Sequence, residues 1–157
     1  QAVRSAQAED VIVGADGDWS PGRAIVDQIA APRDANGFWT RFTPTSRSYD
    51  YDVTYRQASP YVHAELSPLS RVRVDAGARY DVVGYDYDSR LAPLQTGPLR
   101  RPADTSLTYR RLSPKLGITW DVARGLNAYA NWREGFRAPQ QSQLFQQGPA
   151  VNTVGLR

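Results

Sequence analysis

The feature that most constrains this chain is a strict alternation of apolar and polar residues over long stretches. In residues 71–82, every second side chain from Val72 to Val82 is apolar or aromatic, and Arg, Asp and Gly fill the positions between them. Residues 126–133 repeat the pattern with Leu, Ala, Ala and Trp on one parity. A period of two describes β-strands with one apolar face and one polar face. The apolar face must meet either a protein core or lipid.

Five stretches carry this alternation, and no convincing helical pattern accompanies them. The predicted strands are residues 10–19, 49–66, 71–88, 107–122 and 126–136. Long loops are predicted at 20–48, 89–105 and 137–157, and residues 23–31 are compatible with a short helical turn. Two connections, near 67–70 and 123–125, are short. Outer-membrane barrels show this asymmetry of short and long connections.

The second hairpin can be given a register. Gly125 occupies the position that a three-residue connection with a bulge requires. Placing Val122 opposite Leu126 aligns the apolar residues of both strands. The further expected pairs are Trp120 with Ala128, Ile118 with Ala130, and Leu116 with Trp132.

Two Tyr-Asp-Tyr-Asp repeats occur at 49–52 and 85–88; the first precedes a change of phase at 57–59 in the second strand, and the second follows one in the third strand. A change of phase at 82–84 predicts a β-bulge. With such bulges the tyrosines form an outward aromatic girdle, Tyr51 lies beside Tyr87, and the aspartates point inward. Four carboxylates in one patch could bind Ca²⁺, and arginines could instead neutralise them. The candidate metal ligands are Asp50, Asp52, Asp86 and Asp88, and the candidate ion-pair partners include Arg47, Arg90, Arg110 and Arg111.

The inward parity also carries cations, which are nearly all arginine. Arg binds carboxylate, phosphate and catecholate groups well, and it pairs equally well with nearby aspartates. An anionic ligand could therefore contact this face. The candidate ligand-binding residues are Arg133, Arg137 and Arg79, with Arg137 at the mouth.

Composition excludes several other classes of protein. The net charge is only +3 and acids are interleaved with bases, so a nucleic-acid footprint is not expected. The chain has no cysteine, and no apolar run approaches the roughly 18 residues of a membrane helix. One histidine, His63, cannot by itself form a metal site, and no nucleophile-elbow or phosphate-binding motif is present. No enzymatic activity is predicted, and no cofactor is expected beyond the candidate Ca²⁺.

Three stretches in order resemble a known family. They are residues 59–81 with Gly-Ala-Arg-Tyr-Asp, residues 110–122 with Ser-Pro-Lys-Leu-Gly, and residues 127–145 with Gly-Phe-Arg-Ala-Pro. The chain resembles the middle of the barrel of TonB-dependent outer-membrane receptors. The resemblance implies an antiparallel transmembrane β-barrel of about 22 strands, of which this chain supplies about five and no plug domain.

The resemblance further implies a function. Such receptors lie in the lipid of the bacterial outer membrane and import a scarce ligand, with siderophore-bound iron expected first. The TonB–ExbB–ExbD complex supplies energy through the plug, and the long loops capture ligand. Two alternatives stay open at this point. One is a soluble β-sandwich that binds a ligand or carbohydrate, and the other is a fragment of a β-rich enzyme such as a glycosidase, for which only the aspartates of the two repeats could serve.

Overall fold

The computed structural model describes residues 7–94 and 99–146. Within these ranges it has one antiparallel sheet whose five strands are neighbours in chain order. The strands are β1 (Gln7–Ala30), β2 (Thr43–Leu69), β3 (Val72–Ser89), β4 (Thr105–Ala123) and β5 (Leu126–Arg133), and a short helix, α1 (Gln141–Phe145), follows. The predicted all-β meander is confirmed. No helix in the described ranges is long and apolar enough to cross a membrane.

The β4–β5 hairpin has the register that the sequence predicts. The confirmed pairs are Trp120 with Ala128, Ile118 with Ala130, and Leu116 with Trp132. Gly125 has a φ of 80°, a left-handed conformation that glycine adopts without steric cost. The predicted pair at the turn is wrong, because the register shifts between Asp121 and Ala123 and Leu126 lies opposite Ala123.

The largest correction concerns the predicted loop at 20–48. β1 continues to Ala30 and β2 begins at Thr43, so only residues 31–42 connect them, and the expected helical turn is strand. Pro21 and Gly22 suggested a loop, but both lie within β1. The pairing of β1 with β2 outweighs the local preference of these two residues for a turn.

The other loops also change at their ends. β4 begins at Thr105, and the β3–β4 connection carries an isolated antiparallel bridge between Leu94 and Arg101. β5 ends at Arg133 rather than at 136. The predicted loop at 137–157 contains α1, whereas its residues 147–157, like residues 95–98, lie outside the described part of the chain.

The described residues divide into two compact units. The first comprises residues 7–18, 56–83 and 108–138. Its large apolar side chains are mostly exposed. They include Val11, Val13, Val62, Leu112, Leu116, Ile118, Trp120 and Trp132. An apolar surface of this extent indicates contact with lipid or with another protein surface.

The second unit comprises residues 19–55, 84–94, 99–107 and 139–146. It has a buried core of aromatic and aliphatic side chains. These are Tyr49, Tyr51, Val53, Tyr85, Tyr87, Leu144 and Phe145. The sheet residues of this core come from alternating positions of β2 and β3, and α1 supplies the last two residues.

Candidate functional site

The most highly organised feature of the second unit is a cluster of aromatic rings under α1. The Phe145 ring stacks on Tyr87 with centroids 4.4 Å apart and planes inclined by 16°. The Tyr51 and Tyr87 ring centroids lie 4.9 Å apart, and the predicted neighbourhood of these two residues is confirmed. Tyr51 and Tyr85 lie 6.2 and 6.1 Å from Phe145. Ring pairs at such separations attract one another beyond the effect of burial.

Hydrogen bonds tie the segment after the Gly-Phe-Arg-Ala-Pro motif to this cluster. The Tyr85 hydroxyl donates to the Pro139 carbonyl at 2.8 Å. Gln141 and Gln146 each donate from Nε2 to the Tyr51 hydroxyl, at 3.3 and 3.2 Å. The side chain of Gln143 accepts from the backbone of Gln140 and completes a capping box at the start of α1. Residues 139–146 are therefore anchored at both ends.

The prediction that these tyrosines form an exposed outward girdle is wrong. Along β3, buried positions alternate with more accessible ones without interruption from Asp81 to Tyr87. The expected bulge at 82–84 would have broken that alternation, so Tyr85 and Tyr87 share a strand face with Asp81. The apolar residues of β3 therefore switch from one strand face to the other at Val82 and Val83, while the backbone continues as a regular strand. The reason is that α1, rather than lipid, covers the tyrosines.

The four aspartates of the repeats lie on the opposite parity from the tyrosines, and arginines engage two of them. Arg23 donates twice to Asp50 Oδ1, at 3.0 and 2.8 Å, and once to Oδ2 at 3.0 Å. Arg47 donates to the same Asp50 from a second side, at 3.1 Å, and also to Asp27 at 2.9 Å. The predicted partnership of Arg47 with these aspartates is therefore present.

Arg90 neutralises the second aspartate of the first repeat. Its Nε and Nη2 donate to one Asp52 oxygen at 2.9 and 2.6 Å. This hydrogen bonding raises the pKa of Arg90 above the usual arginine value, so the guanidinium stays charged. Ser106 donates to Asp86 at 2.7 Å. No group of three or more His, Cys, Asp or Glu in the described residues is arranged to hold a metal ion, and the predicted Ca²⁺ site involving Asp88 gains no support from this geometry.

The three predicted ligand-binding arginines lie in the first unit in different surroundings. Arg79 donates to Asp16 at 2.6 Å and to Asp81 at 2.8 Å, so it is held between two carboxylates. Arg133 lies directly opposite Lys115 in the β4–β5 ladder, and Arg137 is exposed after the end of β5. Like charges opposed in a ladder repel. The three arginines thus have different surroundings, and their ligand-binding role stays a prediction.

The 31–42 connection is a candidate surface that the sequence prediction missed. It exposes Phe38, Trp39 and Phe42, and the Arg33 guanidinium lies 4.2 Å from the centre of the Trp39 ring. Three aromatic residues within five positions of a predicted loop were the available signal. The predicted loop, residues 20–48, is more than twice as long as the observed connection, so these aromatic residues did not stand out as a separate turn.

Comparison with known proteins settles the family. The profile of the family described as "TonB dependent receptor-like, beta-barrel" matches residues 7–156. The chain belongs to this family. TonB-dependent receptor barrels are found in the bacterial outer membrane, which is where this chain is localised. The soluble β-sandwich alternative is therefore wrong, and the family is one of receptors and transporters rather than enzymes.

A curated relative gives a more specific comparison. The "Heme/hemopexin utilization protein C" of Haemophilus influenzae (strain ATCC 51907 / DSM 11121 / KW20 / Rd) is 28% identical over 134 residues, which is 83% of this chain. The chain spans 16% of the length of that protein. The TonB-dependent receptor barrel segment described here thus corresponds to a small part of its relative.

Proposed function

We propose that this chain is part of the wall and external surface of a receptor that imports heme across the outer membrane with energy supplied by the TonB–ExbB–ExbD complex. The observation that carries the proposal is the family match over residues 7–156. Energy coupling would act through a plug domain, which is no part of the described sheet. Ligand capture would fall to the long connections, because barrels of this class have short periplasmic turns and longer external loops.

The lengths of the connections between strands indicate which of them face the outside of the cell. β2 and β3 are joined by two residues, as are β4 and β5, whereas residues 31–42 and 90–104 form the longer connections. The exposed apolar side chains of the first unit are suited to the hydrocarbon that such strands cross. The longer connections, residues 31–42 and 90–104, are the ones we assign to the external side.

The ligand class is argued from the relative rather than from a metal site. The name of the Haemophilus protein contains heme and hemopexin, which favours heme over the siderophore-bound iron expected from the sequence. Iron ligation is not assigned to the described residues. His63 is the one histidine of the chain, and its Nε2 lies 3.7 Å from a Glu65 oxygen.

Growth of a bacterial strain that lacks the native receptor tests the proposal. We expect the full-length receptor to restore growth on hemin as the sole iron source, and to fail when TonB is deleted. A ferric siderophore serves as the competing ligand. Restored growth on the siderophore but not on hemin would assign the receptor to the expected siderophore class. Restored growth without TonB would contradict the energy source.

A further inference from the structure

The connection between β1 and β2, residues 31–42, is a rigid turn rather than a loose loop. Residues 31–42 are called the β1–β2 loop below, because they connect strands β1 and β2. The Asp34 N–H donates to the Phe38 carbonyl at 2.9 Å, and the Gly37 N–H donates to the Asp34 carbonyl at 3.0 Å. Asp34 Oδ1 accepts from the backbone of Asn36 and Phe38, both at 2.9 Å. These bonds fix the backbone and use the one acidic side chain of the loop.

A second set of contacts closes the base of the loop. Thr40 donates from both its N–H and its hydroxyl to the Pro32 carbonyl, each at 3.2 Å. Arg33 and Trp39 form an antiparallel bridge, and the guanidinium covers one face of the indole. The positions of the aromatic residues are thus set by the backbone before any ligand arrives, which lowers the entropic cost of binding.

The side chains that this turn displays are aromatic and cationic. The Phe38 side chain is 71% exposed and the Phe42 side chain is 65% exposed, so both rings are accessible to a ligand. Arg33 and Arg41 supply positive charge, and an arginine stacked on an aromatic ring still presents its N–H donors to carboxylates. The loop has no His, Cys, Met or Tyr, which are the usual protein ligands of heme iron.

We propose that the β1–β2 loop is a capture site for a flat, apolar ring that carries carboxylates, and that it binds the ring and its carboxylates without ligating a metal. The inference rests on the proposed function and deepens it, because heme combines those two features. Exposed aromatic side chains supply stacking surfaces, and the two arginines match the carboxylates in charge. The site is expected to hold the metal-free ring as well as the iron complex.

Equilibrium binding to the full-length receptor in detergent micelles tests this site. The probe is protoporphyrin IX, which has the ring and carboxylates of heme but no iron. We expect the double variant Phe38→Ala/Trp39→Ala to lose about tenfold in affinity. The matched control is Leu69→Ala, whose side chain is 66% exposed at the β2–β3 turn and should leave the affinity unchanged. Thermal unfolding of both variants should match that of the unaltered receptor, because none of the three side chains is buried.

The role of charge is tested separately with the dimethyl ester of protoporphyrin IX. The variant Arg33→Gln/Arg41→Gln should weaken binding of the diacid about tenfold and leave binding of the ester unchanged. Gly37→Val should also weaken binding of both probes, since the glycine has a φ of 85° and a branched side chain would disrupt the turn that displays the rings. This variant keeps every aromatic and cationic side chain of the loop.

Several results would overturn the inference. Unchanged affinity in the Phe38→Ala/Trp39→Ala receptor would do so, as would an equal loss in the Leu69→Ala control. Equal binding of the ester and the diacid to the unaltered receptor would remove the assigned role of Arg33 and Arg41. Failure of the proposed function looks different, because the unaltered receptor would then neither bind hemin nor restore growth on it.

Discussion

Truncation of Phe145 to alanine should release residues 139–146 from the sheet. The Phe145 side chain is fully buried and stacks on Tyr87 at 4.4 Å. Removing a buried phenylalanine costs about 3–5 kcal/mol when the surroundings do not collapse into the cavity. A five-residue helix has almost no stability of its own, so the loss falls on the docking of α1 rather than on the strand ladder.

Amide hydrogen exchange in the full-length receptor measures this loss. Informative amides are those of Leu144, which donates to the Gln140 carbonyl at 3.1 Å, and Gln146, which donates to Ser142 at 3.2 Å. A loss of about 3 kcal/mol corresponds to an opening equilibrium shifted by roughly 100-fold. Exchange of these two amides should accelerate by that factor, or up to the rate of an unprotected amide, whichever limit is reached first.

The control for this prediction is Phe42→Ala, which removes the same side chain from an exposed position. It should leave exchange of 139–146 unchanged, since Phe42 is not part of the buried aromatic cluster. The reasoning is refuted if Phe145→Ala changes the exchange of Leu144 and Gln146 by less than about threefold while these amides are protected in the unaltered receptor.

Three further variants test other contacts. Gly77→Ala should destabilise the folded barrel by about 1–3 kcal/mol in thermal unfolding, because its Cβ would lie 2.9 Å from the Val62 backbone carbonyl oxygen; Gly135→Ala, which meets nothing within 4 Å, should not. Asp50→Asn should lower the unfolding temperature more than Asp52→Asn, since Asp50 accepts from two arginines and is nearly buried, and equal effects would contradict this order. Gly125→Ala should cost about 1–2 kcal/mol in the same assay, for its left-handed φ of 80°, and Gly125→Asn should cost less.

Much of the fold could be predicted because strand periodicity is local. The β4–β5 register followed from alternating residues and one glycine, and three of its predicted pairs are present. The extent of β1 could not be predicted in the same way. Pro21 and Gly22 disfavour a strand locally, and only the pairing of β1 with β2 outweighs that preference.

The candidate site was less predictable for a similar reason. The pairing of Arg47 and Arg90 with the aspartates could be expected from charge, but Arg23 could not, because it lay in a predicted loop. The burial of the tyrosines depends on α1, whose five residues carry no periodic signal and lie more than 50 positions beyond Tyr87 along the chain. Short helices of this kind form because of what they cover.

The sequence by itself determined that this chain forms long alternating strands, which residues of the β4–β5 hairpin share a strand face, and to which family it is similar. Those properties depend on neighbours along the chain and on the fixed period of a β-strand. Only the tertiary structure decided what each face meets. The tyrosine face of β3 is covered by α1, and the apolar side chains of the first unit are left exposed. Alternation specifies two faces, but the environment of each face depends on contacts between residues that are distant in sequence.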